Sequence, residues 1–407
     1  MIRRLHIANF KSVSDLELEP GRLNLFIGEN GGGKTNILEA LAFGAAAASL
    51  KLDSEFLVSR GIRLAAPILM RSAFPEEKRT VISVRVEDAD GRELRLSIEA
   101  KGEEAYPRWT SEMSINDPAP EDLPPDLKSE VETIVNIIKK AGDGLDDRAQ
   151  STVQQEEYRT RLLPHFDLIS GVYSRMTPIV AKPVLLLERF LVYAPENTAL
   201  RTFASEGQIL PLGIHGEGLF KLLRVLSSSE KSPERWADLK ESLRLLDWFE
   251  DVSIAPETAP FEHALRIRDR HLDPALAYFD QRSANEGFLF LLFYFALFVS
   301  EDTPGFFAID NIDVALNPKV CAALIRQLAV LAKKYDKQVI LTTHNAAILD
   351  GINLHDDEQR LFVIYRNSDG HTKARRVSPP VPVADEPPIK LSEAFLRGIL
   401  GGLPKNF

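Results

Sequence analysis

The chain has 407 residues, room for one large domain or two ordinary ones, and its 44% hydrophobic and 27% charged composition is that of a globular protein with a sizeable core. A formal net charge of −10 and a pI near 5.5 disfavour a basic nucleic-acid coat protein, although a local basic groove on an acidic protein stays open. The single cysteine, Cys321, excludes an intramolecular disulfide and fits a reducing compartment.

The opening "MIRRLHIANF" lacks the apolar stretch of a secretory signal and alternates like a strand from Ile2 to Phe10. "DLELEPGRLNLFIG" gives a second strand, a turn at Pro20 and Gly21, and a buried strand from Leu23 to Ile27. A glycine-rich loop and an apolar helix from Thr35 to Ala48 follow. "TVISVRVEDADGRELRLSIEA" predicts a β-hairpin turning at Asp90-Gly91.

"NDPAPEDLPPD" is acidic and proline-rich, a linker or surface loop. Residues 127–178 predict a short helical insertion, with Val131, Ile134, Val135 and Ile138 on one face and no sustained heptads. "KPVLLLERFLVYAP" resumes the strand pattern, and "GEGLFKLLRVL" and "ERWADLKESLRLLDWF" are amphipathic helices. The run Phe288 to Val299 falls short of the ~18 apolar residues of a membrane span and reads as a core helix, so a cytoplasmic protein without membrane contact is expected.

Strand Phe306 to Ile309, helix Pro318 to Lys334, strand Gln338 to Thr342 and a short helix then alternate, the pattern of a parallel sheet with covering helices. "QRLFVIYRN" and "KARRVS" close this α/β domain, residues 1–378, as a hairpin around Asp369-Gly370. Residues 379–407 add a proline-rich linker and an amphipathic segment with Leu391, Phe395 and Ile399 at helical spacing.

"GENGGGKT", Gly28 to Thr35, matches G-x-x-x-x-G-K-[ST] between a buried strand and a helix. Gly28, Glu29, Asn30, Gly31, Gly32, Gly33, Lys34, Thr35 and Asn36 are therefore candidate ATP-binding residues. The glycines let backbone N–H groups turn toward phosphates, and Lys34 supplies a cation for the β and γ oxygens. The helix N-terminus adds its positive dipole end. Thr35 offers a hydroxyl to Mg²⁺, and Asp310, after the apolar strand "FFAI", offers a carboxylate to the same ion. "VILTTHN" ends another buried strand in Thr342, Thr343 and His344, placing the histidine where ligands sit in open α/β sheets. Its competing role is a cap for the helix that follows.

The start "IRRLHIANFKSV", the loop "GENGGGKTNILEAL", the strand end "AIDNIDVALNP" and "LTTHN" come in an order that resembles SMC/RecF-like ABC-type ATPase heads. More narrowly, the chain looks like the AAA-labelled ATP-binding proteins of bacteria, which include the ATPase parts of OLD-type nucleases and many anti-phage defence proteins. The resemblance implies a P-loop NTPase fold: a mixed, mostly parallel sheet core, an antiparallel β lobe and a short helical insertion. It also implies a signature element that reaches ATP held by a second subunit. Asn285, Glu286 and Gly287 stand at that place, with Asn285 where the family has serine; an ordinary helix cap is the competing reading. A homodimer or larger assembly closed by ATP and Mg²⁺ is then expected.

The family places a glutamate, the general base, at position 311. Here it is Asn311, which can orient a water but cannot take its proton, so slow hydrolysis is expected. His344 and Asp313 are the candidate substitutes, a helix-approach or interface residue being the competing reading of Asp313. Arg60, Arg63, Asn9 and Lys11 are weaker pocket candidates, and no Q-loop glutamine is evident. The expected function is an ATP-driven switch controlling a partner effector, such as a nuclease in anti-phage defence, because little chain follows Val377. The alternative is a DNA repair or recombination ATPase that binds DNA across the head dimer. A transporter subunit fits the N-terminal pattern and the degenerate signature less well.

Overall fold

A computed structural model describes residues 1–75, 77–102, 108–116, 182–203, 209–254, 265–273, 278–379 and 389–403, with 129–130, 133–134, 136–137 and 165 as isolated positions. Apart from those positions, the expected helical insertion lies outside the described residues.

Thirteen described strands form three sheets. β1 (Ile2–Phe10), β2 (Val13–Leu18), β4 (Ile82–Asp88), β5 (Glu93–Lys101) and β6 (Arg108–Asn116) make an antiparallel lobe in the order β2-β1-β4-β5-β6. β3 (Leu23–Ile27), β7 (Val192–Tyr193), β10 (Phe306–Ile309), β11 (Gln338–Thr342), β12 (Gln359–Arg366) and β13 (Thr372–Val377) make the central sheet, ordered β13-β12-β3-β11-β10-β7. All its neighbours are parallel except the edge strand β13. β8 (Phe249–Ile254) and β9 (Leu265–Asp269) form a separate hairpin.

Strand alternation gives the central sheet two faces. Leu25, Ile27, Phe307, Ile309, Leu361 and Val363 enter a core shared with helices Glu286–Val299 and Pro318–Lys334. Phe26, Phe306, Ala308, Ile340, Phe362 and Ile364 enter a second core, shared with helix Lys34–Ala48 and the antiparallel lobe. In helix Glu286–Val299 every side chain from Phe288 onward is buried, the mark of an all-round apolar core helix. Each large apolar side chain there contributes ~1.5–3 kcal/mol of burial. Among the described residues no helix is long and apolar enough to cross a membrane.

Two elements depart from expectation. "KPVLLLE" is a helix, Lys182–Glu188, because Pro183, Val184 and Leu187 point inward at helical spacing while Leu185 is exposed. β6 is an additional edge strand whose polar, mostly exposed face conceals any alternation. The C-terminal segment packs back on its own head. Phe395 joins the first core, and Ser392 is held to Asp350 through its backbone N–H (3.0 Å) and hydroxyl (2.8 Å). Ile399, expected on the inward face, is exposed.

Candidate functional site

The C-terminal ends of β3, β10 and β11 lie side by side, so the loops after them converge. β3 ends at Ile27 and the next helix starts at Lys34, leaving Gly28 to Gly33 as the connecting loop. Gly33 takes φ 105°, and a Cβ there would stand 2.0 Å from Thr372 Oγ1, so only glycine fits. The loop is braced from behind. Thr372 Oγ1 donates to the Gly32 carbonyl at 3.1 Å and lies 2.7 Å from Ser12 Oγ, which accepts from Asn36 Nδ2 at 2.7 Å.

Lys34 is buried, and its Nζ donates to the carbonyls of Gly28 (2.8 Å) and Glu29 (3.1 Å). Burial pulls its ammonium down to about 8, against the opposing pull of Asp310 and Glu29. Thr35 Oγ1 donates to Asp310 Oδ2 at 3.3 Å. The other oxygen of Asp310 accepts from the Thr342 hydroxyl, which itself accepts from the Asn311 backbone N–H at 2.9 Å. Asn311 has φ 55°, a left-handed conformation that asparagine tolerates better than most residues.

A cavity of about 310 Å³ joins Gly31, Lys34, Thr35, Asp310, Asn311 and His344. His344 has its pKa lowered, first by burial and then by Lys34, so it is neutral at pH 7 with a ring nitrogen free of charge. Asp313 does not line this cavity. Its Oδ1 accepts from Thr343 Oγ1 at 2.6 Å, which ties the residue to the strand end as a brace.

The weaker pocket candidates divide. Arg63 lines the cavity and reaches Asn36 Oδ1 at 3.4 Å, and it shares buried Glu39 with Lys11. Arg60 instead donates to the Phe190 carbonyl at 3.0 Å and stacks over Phe56, and Asn9 bonds the carbonyls of Arg79 and Val81. Neither is on the cavity wall. Arg366 is, and local sequence reasoning missed it; "VIYRN" shows only a cation at a strand end.

Asn285 caps helix Glu286–Val299, its Oδ1 accepting from Phe288 N at 2.8 Å, which leaves its NH₂ as the available side-chain donor. Asn285, Glu286 and Gly287 line a different cavity of about 790 Å³, with Ala315, Asn317 and Trp248. It shares no lining residue with the first. Arg201 stiffens the approach to this helix, its Nη1 donating to the Ala284 carbonyl at 2.9 Å.

The donor set fits a magnesium–triphosphate group. Thr35 and Asp310 bring two hard oxygens within 3.3 Å of each other, as a small divalent cation requires. Among the described residues the buried Lys34 ammonium donates its hydrogen bonds to loop carbonyls, and a Cβ at Gly31 would meet nothing within 4 Å.

Residues 23–350 match the family model described as "AAA domain, putative AbiEii toxin, Type IV TA system". A 43-residue stretch is 54% identical to the DNA replication and repair protein RecF of Shewanella pealeana and, equally, to that of Shewanella halifaxensis. It covers 10% of this chain, and the chain spans 12% of the length of these curated relatives. Among solved structures, an SMC head bound to the C-winged helix domain of ScpA superposes with a TM-score of 0.52 at 14% identity, covering 93% of this chain and 98% of that one. At that identity the likeness shows the fold alone, that of an SMC head.

Proposed function

The chain belongs to this family of AAA-labelled ATPase domains, and from that premise we propose that it is a Mg-ATP-driven switch with slow hydrolysis, completed by a second copy of itself. The observation that carries the reading is the convergence of Lys34, Thr35, Asp310 and His344 on one cavity while Asn285 to Gly287 line another. On this reading one chain holds two half-sites.

Lys34 and the loop N–H groups bind and orient the triphosphate. Thr35 and Asp310 would hold a magnesium ion, which would supply charge neutralisation at the phosphate oxygens. Thr342 orients Asp310 and fixes the Asn311 backbone. Asn311 positions water through its carbonyl oxygen, and neutral His344 accepts the proton at a ring nitrogen. With no carboxylate at position 311, ATP persists between the subunits, and the closed state is the output that a partner reads.

The family description names toxins of type IV toxin–antitoxin systems, which supports control of an effector, such as a nuclease, in defence. The SMC head superposed above carries a bound winged-helix domain, which supports a protein partner. A second reading, a DNA repair ATPase, draws on the RecF match; DNA binding that rises with Mg-ATP and falls steeply with salt would favour it. The nucleotide reading is tested by titrating Mg-ATP into the full chain and into Lys34→Ala. Loss of binding in the variant is expected, and unchanged binding would overturn the site.

A further inference from the structure

We infer that Arg366, supplied by the hairpin β12–β13, is a contact residue for the triphosphate of the bound nucleotide. The inference rests on the nucleotide reading above and adds a residue to it. Its origin is topological. β12 lies parallel to β3 with Val363 opposite Ile27, and it continues to Arg366 where β3 has already given way to the phosphate loop. Alternation sets Arg366 on the same side as Phe362 and Ile364, the side covered by helix Lys34–Ala48, whose N-terminus faces the phosphate loop. Arg366 Nε donates to the Gly31 carbonyl at 2.9 Å, which fastens the guanidinium to the loop itself.

The charge environment separates this residue from its neighbours. Among the described residues three cations line the cavity: Lys34, Arg63 and Arg366. Arg63 is committed to Glu39, and Lys34 is bonded to loop carbonyls. Among the described residues Arg366 forms no ion pair with a carboxylate. Its Nε bond leaves two NH₂ groups, and a guanidinium fork fixed at one end presents them in the planar geometry that suits phosphate oxygens. A solvated surface arginine would have no reason to be tied to the loop tip. A brace for the loop alone would be satisfied by the one bond already made.

The test uses the full chain with Arg366→Gln, Arg366→Lys and Lys34→Ala, and measures binding of Mg-ATP and of inorganic triphosphate with Mg²⁺. Arg366→Gln should weaken both ligands about tenfold or more, with an unchanged thermal melt, and Arg366→Lys should recover only part of the loss because lysine lacks the fork. If Arg366→Gln leaves both affinities unchanged while Lys34→Ala abolishes binding, the inference fails and the nucleotide reading stands. If ATP binding weakens but triphosphate binding does not, Arg366 contacts the nucleoside and the inference is wrong. If Lys34→Ala also binds normally, the nucleotide reading falls and takes this inference with it.

Discussion

Thr342 holds Asp310 in place: its hydroxyl donates to one carboxylate oxygen and leaves the other 3.3 Å from Thr35 Oγ1. The same hydroxyl accepts from Asn311 N, so a single side chain on β11 sets both residues that follow β10. Hydrogen bonds to charged groups contribute ~1.5–3 kcal/mol, a factor of about 10–100 in affinity. Thr342→Val should therefore weaken Mg-ATP binding by about tenfold or more and leave metal-free nucleotide binding nearly unchanged. Thr342→Ser should restore it. Equal losses with and without Mg²⁺ would show that Thr342 acts on the fold and not through Asp310 on a metal ion.

His344 should control the acid side of turnover. Its pKa lies below the ordinary 6.5, so it is neutral and able to accept a proton at pH 7 and becomes charged only as pH falls through that lowered pKa. A steady-state pH profile should lose activity only under pH 6.5. In His344→Gln that limb should vanish while the plateau drops at least about tenfold. A variant that keeps both plateau and limb would remove His344 from the chemistry.

Asn311→Glu should raise phosphate release by about 10²-fold, the lower end of what a positioned general base contributes. The backbone opposes the change. At φ 55° a glutamate is strained where asparagine is comfortable, so the variant should lose about 1 kcal/mol of stability. A thermal melt and a phosphate assay on one preparation check both signs. No gain in rate, with ATP still bound, would show that the base is not what limits turnover.

Lys34 gives a second pH signature. Free of ligand, its ammonium titrates at about 8; bound phosphate favours the charged form and raises that value. Below pH 8 the residue is already protonated and affinity is flat. Above it, binding takes up a proton, so the dissociation constant of Mg-ATP should rise by up to about tenfold per pH unit. Lys34→Arg, charged throughout, should abolish the slope even if it binds less well.

Much of this site is legible in the sequence because its parts are local. A buried strand, a glycine loop and a helix occupy consecutive residues, and the acidic and threonine-rich strand ends each follow their own apolar run. What lies on the other side of the loop is not local. Thr372 and Arg366 reach Gly32 and Gly31 because β12 and β13 join the sheet beside β3, a relation between segments more than 300 residues apart. The spacing of Asp313 leaves base and interface roles open, and its bond to Thr343 depends on where β11 sits. "PVLLL" fits a strand or a helix by pattern alone, and only packing decides between them.

The central claim is that each chain holds two half-sites that meet across a pair. Light scattering on the full chain, with and without saturating Mg-ATP, addresses it most directly, with Gly287→Asp alongside. A Cβ at Gly287 already lies 3.2 Å from the Ala315 carbonyl, and an aspartate there sets a negative charge on the surface proposed to meet the partner's phosphate. The account predicts that Mg-ATP raises the mass of the natural chain to a dimer or larger, while Gly287→Asp binds ATP and keeps its nucleotide-free mass. A natural chain that binds Mg-ATP with no change in mass would contradict it.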